Sequence, residues 1–525
     1  MLPIASNTAA GFTLGDLTTV LLIGSATLIF CALAVRLSAR TGLPSLLIYL
    51  GVGLAMGENG LGIDFEDQQL TLVLGYAALV LILIEGGLTT QWSSIRRSIA
   101  PAGLLATVGV MVSIIVVAAA GRYLLDWSWT TALLVAAIVS STDAAAVFSV
   151  LRSVPLPRRL TGMLEAESGF NDAPVVLLVA ALAERAAAPE SAQPPLAIAG
   201  LAILELAVGA FVGVVVGYVG GQLVRRGATA SSGLFAIGIV AVAVLAYAAA
   251  ASVHASGFLA TYVAALVLGN IGLPHHVAVH GFAAALGWLA QIGLFVLLGL
   301  LASPAGFSDQ IVPAIVVGLV LLLVARPLSV AASVSWFGFS LRQQAFLSWA
   351  GLRGAVPVVL ATVPVIARAP NVEWIFDLVF VLVVIFTVVQ APTLPWVARR
   401  LGVVEQHRAR ELTLESTPIE ELGASLLHVE VGAKSHLHGV AVFELRLPQG
   451  SDVTLILRGG ESMVPTPRTR LLHGDQLLIV TTDAQREQTE RRLRAISSAG
   501  RLAEWNGGTR RPLRKRPGRP ASPQA

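Results

Sequence analysis

The stretch EAESGFNDAPVVLLVA, residues 165–180, sets Glu165, Glu167 and Asp172 at the head of an apolar run. What those acids are for depends on the solvent around them. Of the 525 residues, 55% are hydrophobic and only 13% are charged, against roughly 25% charged in a soluble globular chain. Apolar runs of about 20 residues recur across the first 400 positions, each long enough to cross a bilayer. A soluble protein with buried helices would need far more charge between such runs. The chain therefore reads as an all-α polytopic membrane protein, and the carboxylates of residues 165–180 lie at or near membrane depth.

Thirteen apolar segments centre near residues 27, 50, 79, 110, 141, 172, 211, 241, 263, 292, 321, 355 and 386. The loops orient them. Arg36, Arg40, Arg96, Arg97, Arg152, Arg158, Arg159, Arg225, Arg226, Arg342, Arg399 and Arg400 follow odd-numbered segments, whereas the alternate loops hold only Arg122, Arg185 and Arg368. Positive residues stay cytoplasmic, so the N-terminus is expected outside and the C-terminus inside. The loop after segment nine carries His275, His276 and His280 and no arginine, and so casts the weakest vote. No Lys or Arg precedes the first apolar run, unlike a cleaved signal peptide. Cys31 is the only cysteine, which excludes an internal disulfide and argues against a thiolate metal site. The net charge of +4 sits mainly on loops and tail. It fits an inner-membrane protein and calls for no nucleic-acid partner.

Residues 1–400 form the expected membrane domain. Residues 401–424 read as a charged linker. Residues 425–495 read as a small β-rich domain with an amphipathic helix, because short alternating runs (LLHVEV, VAVFELRL, DVTLILRGG, DQLLIVTT) are separated by turn signals and followed by AQREQTERRLRAI. Residues 496–525 are basic, Pro-rich and expected to be disordered. Such a tail is a solvated end or a contact for anionic lipid.

A charge inside hydrocarbon costs at least ~2.5–3.5 kcal/mol and normally faces a cavity, a partner or an ion path. The candidates are Glu85, Asp143, Glu167, Asp172, Glu205, Arg326 and Arg353. Glu167 and Asn171 are four apart and share a helix face, as do Ser168 and Asp172. Glu167 and Asp172 are five apart, which leaves them about 140° from each other. One helix thus points two carboxylates in different directions. A sensible division pairs one with a buried arginine and leaves the other able to exchange a proton and to accept a cation. SSTDAAA brings Ser141, Thr142 and Asp143 to mid-membrane among small residues, and GLRGAVP puts two glycines, Arg353 and Pro357 at the same depth. Broken helices of this kind are tolerated where they line a transport site. Glu165 falls at the interface and Glu205 near a span end. Glu85 suits either helix packing or the cytoplasmic rim, and Arg326, before Pro327, can snorkel.

SSTDAAAVFS, EAESGFNDAP, ARPLSV and GLRGAVP closely resemble the NhaP-type monovalent cation:proton antiporters, related to the sodium/proton exchangers, over most of residues 15–400. The resemblance implies thirteen helices in a dimer domain and a core domain, with segments five and twelve crossed and unwound. The two halves share no convincing sequence identity, so an inverted repeat is an expectation of that fold only. The resemblance further implies that Asp172 is the main ion- and proton-binding carboxylate, helped by Asp143, Thr142 and Ser168, so that Asp172 and Asp143 hold the monovalent cation. Asn171 stands where electrogenic relatives have a second aspartate, which implies electroneutral one-for-one exchange. Glu167 would pair with Arg326, and Arg353 would stabilise the crossing in segment twelve. FELRLPQGSDVTLILRGGESMVPTPRTRLLHGDQLLIV is similar to the TrkA-C (RCK C-terminal) domain, and the combination resembles the potassium/proton branch.

The expectation is therefore a homodimeric, multi-pass inner-membrane antiporter, not an enzyme. It would use no cofactor beyond the transported K+ or Na+ and H+, and its partners would be those ions, membrane lipid and a small-molecule regulator at the C-terminal domain. A Na+(Li+)/H+ antiporter of the same fold is the nearest alternative. A channel would want a TVGYG-like filter, which the sequence lacks. An intramembrane aspartyl protease could use Asp143 and Asp172 but lacks the glycine-rich sequence around its aspartates. A sensor or scaffold would show no flux.

Overall fold

The computed structural model describes residues 14–500 except 42–43, 59, 64, 66, 144–146, 148–153, 155, 189–194, 228–230, 405–413, 420–423, 433–434 and 483. The basic tail beyond residue 500 lies outside the described residues. Contacts divide the chain into two units, 1–405 and 406–525.

The first unit is helical because a chain in hydrocarbon must satisfy its backbone polar groups within each segment. Its elements are α1 (Leu14–Thr41), α2 (Ser45–Met56), α3 (Gln68–Thr89), α4 (Ile99–Leu124), α5 (Trp129–Ile138), α6 (Arg158–Ala187), α7 (Pro195–Arg226), α8 (Ser232–Ser252), α9 (Gly257–Asn270), α10 (His276–Leu301), α11 (Pro304–Phe337), α12 (Leu341–Trp349), α13 (Ala355–Ile366) and α14 (Trp374–Arg400). Among the described residues nine helices are long and apolar enough to span a membrane, and four shorter apolar ones (α2, α5, α9 and α13) complete the thirteen segments read from the sequence. Interhelix contact rests on small residues, as lipid gives no hydrophobic drive between helices. Gly209, Gly213 and Gly217 recur every four residues along α7, and a Cβ on any of them would run into Ser256, the N-cap of α9, or into Ala260 or Ala264 of that helix.

Two π-helical turns matter for the site. They lie at Leu105–Gly109 in α4 and Leu321–Ala325 in α11. A π turn resets the helix face by a residue and often marks a functional position. Here Arg326 follows directly. The two helices are joined by Ser329, whose hydroxyl lies 2.7 Å from Ser113 Oγ and 2.7 Å from the Gly109 carbonyl.

The second unit is an antiparallel sheet with one helix. Its strands are β1 (Leu414–Ile419), β2 (Ala424–Glu430), β3 (Ser451–Arg458), β4 (Glu461–Met463) and β5 (Gln476–Thr482), in the order β1-β2-β5-β3-β4. The helix, α15 (Arg486–Ala499), buries Leu493 and Ile496 in the sheet's core. Two details depart from the sequence reading. The stretch read as linker contributes β1, paired along β2 from Leu414–Val429 to Ile419–Ala424. VAVFELRL forms a short 3-10 turn at Val442–Leu445 and no strand. There the Ala441 N–H donates to the Glu444 carboxylate at 3.0 Å, the kind of local side-chain bond that competes with a sheet ladder. Arg458 grips the buried Asp475 with Nε and Nη2, both at 2.8 Å, and the Leu472 N–H adds a third bond at 2.7 Å. Burial alone would push the Asp475 carboxyl up, but these three donors outweigh it and hold it below the usual carboxylate range.

Candidate ion-binding site

The site lies where two interrupted spans meet. After α5 the helix stops at Ile138, and residues 139–143 run irregularly; Ser140 Oγ donates to the Ala137 carbonyl at 2.7 Å, occupying an acceptor left by the break. The other interruption is Ala350–Gly354, between α12 and α13. The breaks bond to each other, with the Asp143 N–H donating to the Leu352 carbonyl at 2.8 Å and Arg353 Nε to the Val139 carbonyl at 3.2 Å. Arg353 also donates to the Gly351 carbonyl. Non-helical backbone at membrane depth is thus satisfied within the protein. Both glycines of GLRGAVP are required by space. A Cβ at 351 would lie 2.5 Å from Arg326 Nε, and one at 354 would overlap the Asp143 carboxylate.

Helix α6 crosses beside the breaks and sends its polar side chains two ways. On one side Glu167, 3% exposed, meets Arg326, 4% exposed, with Oε1 2.6 Å from Nη2. The same Oε1 accepts from Thr142 Oγ1 at 3.2 Å, and Thr142 accepts from Asn171 Nδ2 at 2.5 Å. On the other side Asp172, 9% exposed, accepts from Ser141 Oγ at 2.7 Å and makes no ion pair among the described residues. Pro174, inside the same helix, has no N–H to give the Phe170 carbonyl one turn back.

Asp172 opens onto a cavity of about 350 Å3 that is also lined by Thr142, Asp143, Ser168, Glu85 and Glu165. Tyr262 and Gln291 are among its other polar lining residues. The structure therefore brings together Asp172, Asp143, Thr142 and Ser168. It sets Asn171 to the side, bonded to Thr142, with an Oδ1 that is buried and unpartnered among the described residues. Glu85 belongs to the cavity wall. The place of Glu165 near the start of the segment suggests an interfacial residue, but it lines the same cavity. The signal was present in the spacing, because Glu165 precedes Asp172 by seven residues and so shares its face.

This fold and site define a membrane transporter with a carboxylate-lined cavity at two helix breaks bonded to each other. The chain matches the transmembrane sodium/hydrogen exchanger family over residues 25–400 and the TrkA-C domain over 426–494. It belongs to the sodium/hydrogen exchanger family. It is 38% identical to the K(+)/H(+) antiporter NhaP of Alkalimonas amylolytica, over 73% of this chain and 67% of that one. It is 34% identical to the K(+)/H(+) antiporter NhaP2 of Shewanella baltica, over 87% of this chain and 80% of the relative. The sodium proton antiporter MjNhaP1 of Methanocaldococcus jannaschii shares the fold, with a TM-score of 0.64 at 21% identity over 73% of this chain and 99% of that one.

Proposed function

We propose that the chain is a secondary active antiporter that exchanges cytoplasmic K+, or Na+, for an external proton by alternating access at Asp172. The observation that carries the reading is the division of labour on α6. Glu167 is neutralised by Arg326, while Asp172, five residues on, keeps a carboxylate on the cavity without a counter-cation among the described residues. That carboxylate holds either a proton or a cation, so each crossing of the site carries one or the other. Competition for one group gives exchange with no further device, and the proton gradient drives the cation out.

Oxygen ligands suit a hard monovalent cation, and Asp143, Thr142 and Ser168 supply them around Asp172. One-for-one exchange follows from a single exchanging carboxylate, with Asn171 beside it uncharged. No resident cofactor is needed. The arginine bias supports an outside N-terminus and a cytoplasmic C-terminus in an inner membrane. The family resemblance supports a homodimer in lipid, with the TrkA-C unit as the seat of a small-molecule regulator. The role is cation and pH homeostasis.

The test is reconstitution of the full chain in vesicles with a lumenal pH dye and an imposed pH gradient. K+ should collapse the gradient. Collapse by Na+ or Li+ alone would keep the mechanism and change the ion. No response to any of the three from folded protein would overturn the reading in favour of a channel or sensor.

A further inference from the structure

We propose that Glu165 is a cation-collecting station on the route to Asp172, setting the apparent cation affinity of exchange while Asp172 performs it. The inference rests on the antiport reading above. Glu165 and Asp172 are seven residues apart on α6, two helical turns to within about 20°, so they lie on one strip of the helix about 10 Å apart along its axis. Ser168 and Gly169 continue that strip between them, and all four line the one cavity. Gly169 keeps the strip open, since a Cβ there would overlap the Tyr262 ring across from it. Glu165 is half-buried and makes no hydrogen bond or ion pair among the described residues. Glu167, only two residues away, turns to the opposite side and is held by Arg326.

The charged and titratable groups that share the cavity with Glu165 are Glu85 on α3, Asp143 at the break after α5, Asp172 on α6 and Tyr262 on α9; among the described residues no lysine, arginine or histidine lines it. A low-dielectric cleft of one sign focuses field and concentrates counter-ions. Glu165 stands nearer the end of α6 that carries Arg158 and Arg159, the end that the arginine bias assigns to the cytoplasm. A cytoplasmic cation therefore meets Glu165 before it meets Asp172. A carboxylate left without a partner at this depth is costly, which a merely structural residue would have no reason to retain.

The experiment measures half-saturating K+ and maximal rate at fixed pH for the reconstituted full chain and for Glu165→Gln, Glu165→Asp and Asp172→Asn. Glu165→Gln should raise half-saturating K+ by about tenfold, the size expected from one charge about 10 Å away at an effective dielectric of about 20. Its maximal rate should stay within about twofold of the intact chain, as collection precedes the crossing step. Glu165→Asp should recover most of the affinity. The gap between Glu165→Gln and the intact chain should narrow in choline chloride at about 1 M, where screening acts over about 3 Å. Unchanged half-saturation in Glu165→Gln, or a fall in maximal rate alone, overturns the proposal. Should Glu165→Gln fail to fold, Glu165→Asp and the choline dependence of the intact chain still decide, since a flat salt response overturns it. Exchange that is lost in Asp172→Asn but identical in Glu165→Gln sinks Glu165 alone. Exchange that survives in Asp172→Asn takes the exchanging group away from Asp172 and sinks Glu165 as a station on the route to it.

Discussion

Asp172→Asn is expected to abolish cation-dependent proton movement and to leave the folded yield unchanged. Asparagine matches aspartate in shape, and its Oδ1 can still accept from Ser141 Oγ, now 2.7 Å from Asp172 Oδ1. Packing on α6 is therefore retained, and the change removes only the group that takes a proton or a cation by turns. The loss should be at least about a hundredfold, the scale on which removal of one essential electrostatic group is felt in a dry site. Gradient-collapse rates, normalised to monodisperse protein by size exclusion, measure it. Rates near those of the intact chain would mean that another carboxylate of the cavity, Glu85 or Asp143, does the exchange.

The second large effect lies on the other side of the same helix and concerns folding. Glu167→Ala should strand the Arg326 guanidinium, and Arg326→Ala the Glu167 carboxylate, at sites only 3–4% exposed. Removing one partner of a buried pair costs about 3–5 kcal/mol. Each single variant should lose folded yield and thermal midpoint. The pair Glu167→Gln with Arg326→Met removes both charges of the contact and should recover part of the loss, because replacing both partners is close to neutral while Arg353, 4% exposed, stays buried beside them. A double-mutant cycle read by thermal unfolding in detergent gives the coupling. Normal midpoints in both single variants would show that the 2.6 Å contact contributes nothing to the fold.

The contrast between these two carboxylates was legible in the sequence. Five residues on a helix separate two side chains by about 140°, so Glu167 and Asp172 had to face different surroundings. The same geometry places Glu165 with Asp172, but its position near the head of the segment suggests an interfacial residue, and only the side chains that α3, α9 and α10 bring to the same cavity enclose it. The two helix breaks were legible as glycine, proline and small polar residues at membrane depth. Their interlock was not, because the Asp143 N–H bonds Leu352 across more than 200 residues, a pairing that no local pattern encodes. In the C-terminal unit, alternation found β2, β3 and β5 but misread residues 440–447. There Glu444 closes a turn on Ala441, and Arg446 adopts a left-handed conformation with φ 47°. Strand β1 escaped notice because LESTPI has neither strict alternation nor a strong apolar content.

The central claim is that a cation and a proton compete for one carboxylate. The most direct measurement is the half-saturating K+ concentration of gradient collapse across a series of pH values in reconstituted vesicles. Competition at Asp172 predicts that half-saturating K+ climbs as pH falls, approaching about tenfold per pH unit at the acid end, with the maximal rate at saturating K+ unchanged, since linkage makes each ligand weaken the other equally. Half-saturation that stays constant with pH while the maximal rate falls would place the proton and the cation on separate groups and contradict the account.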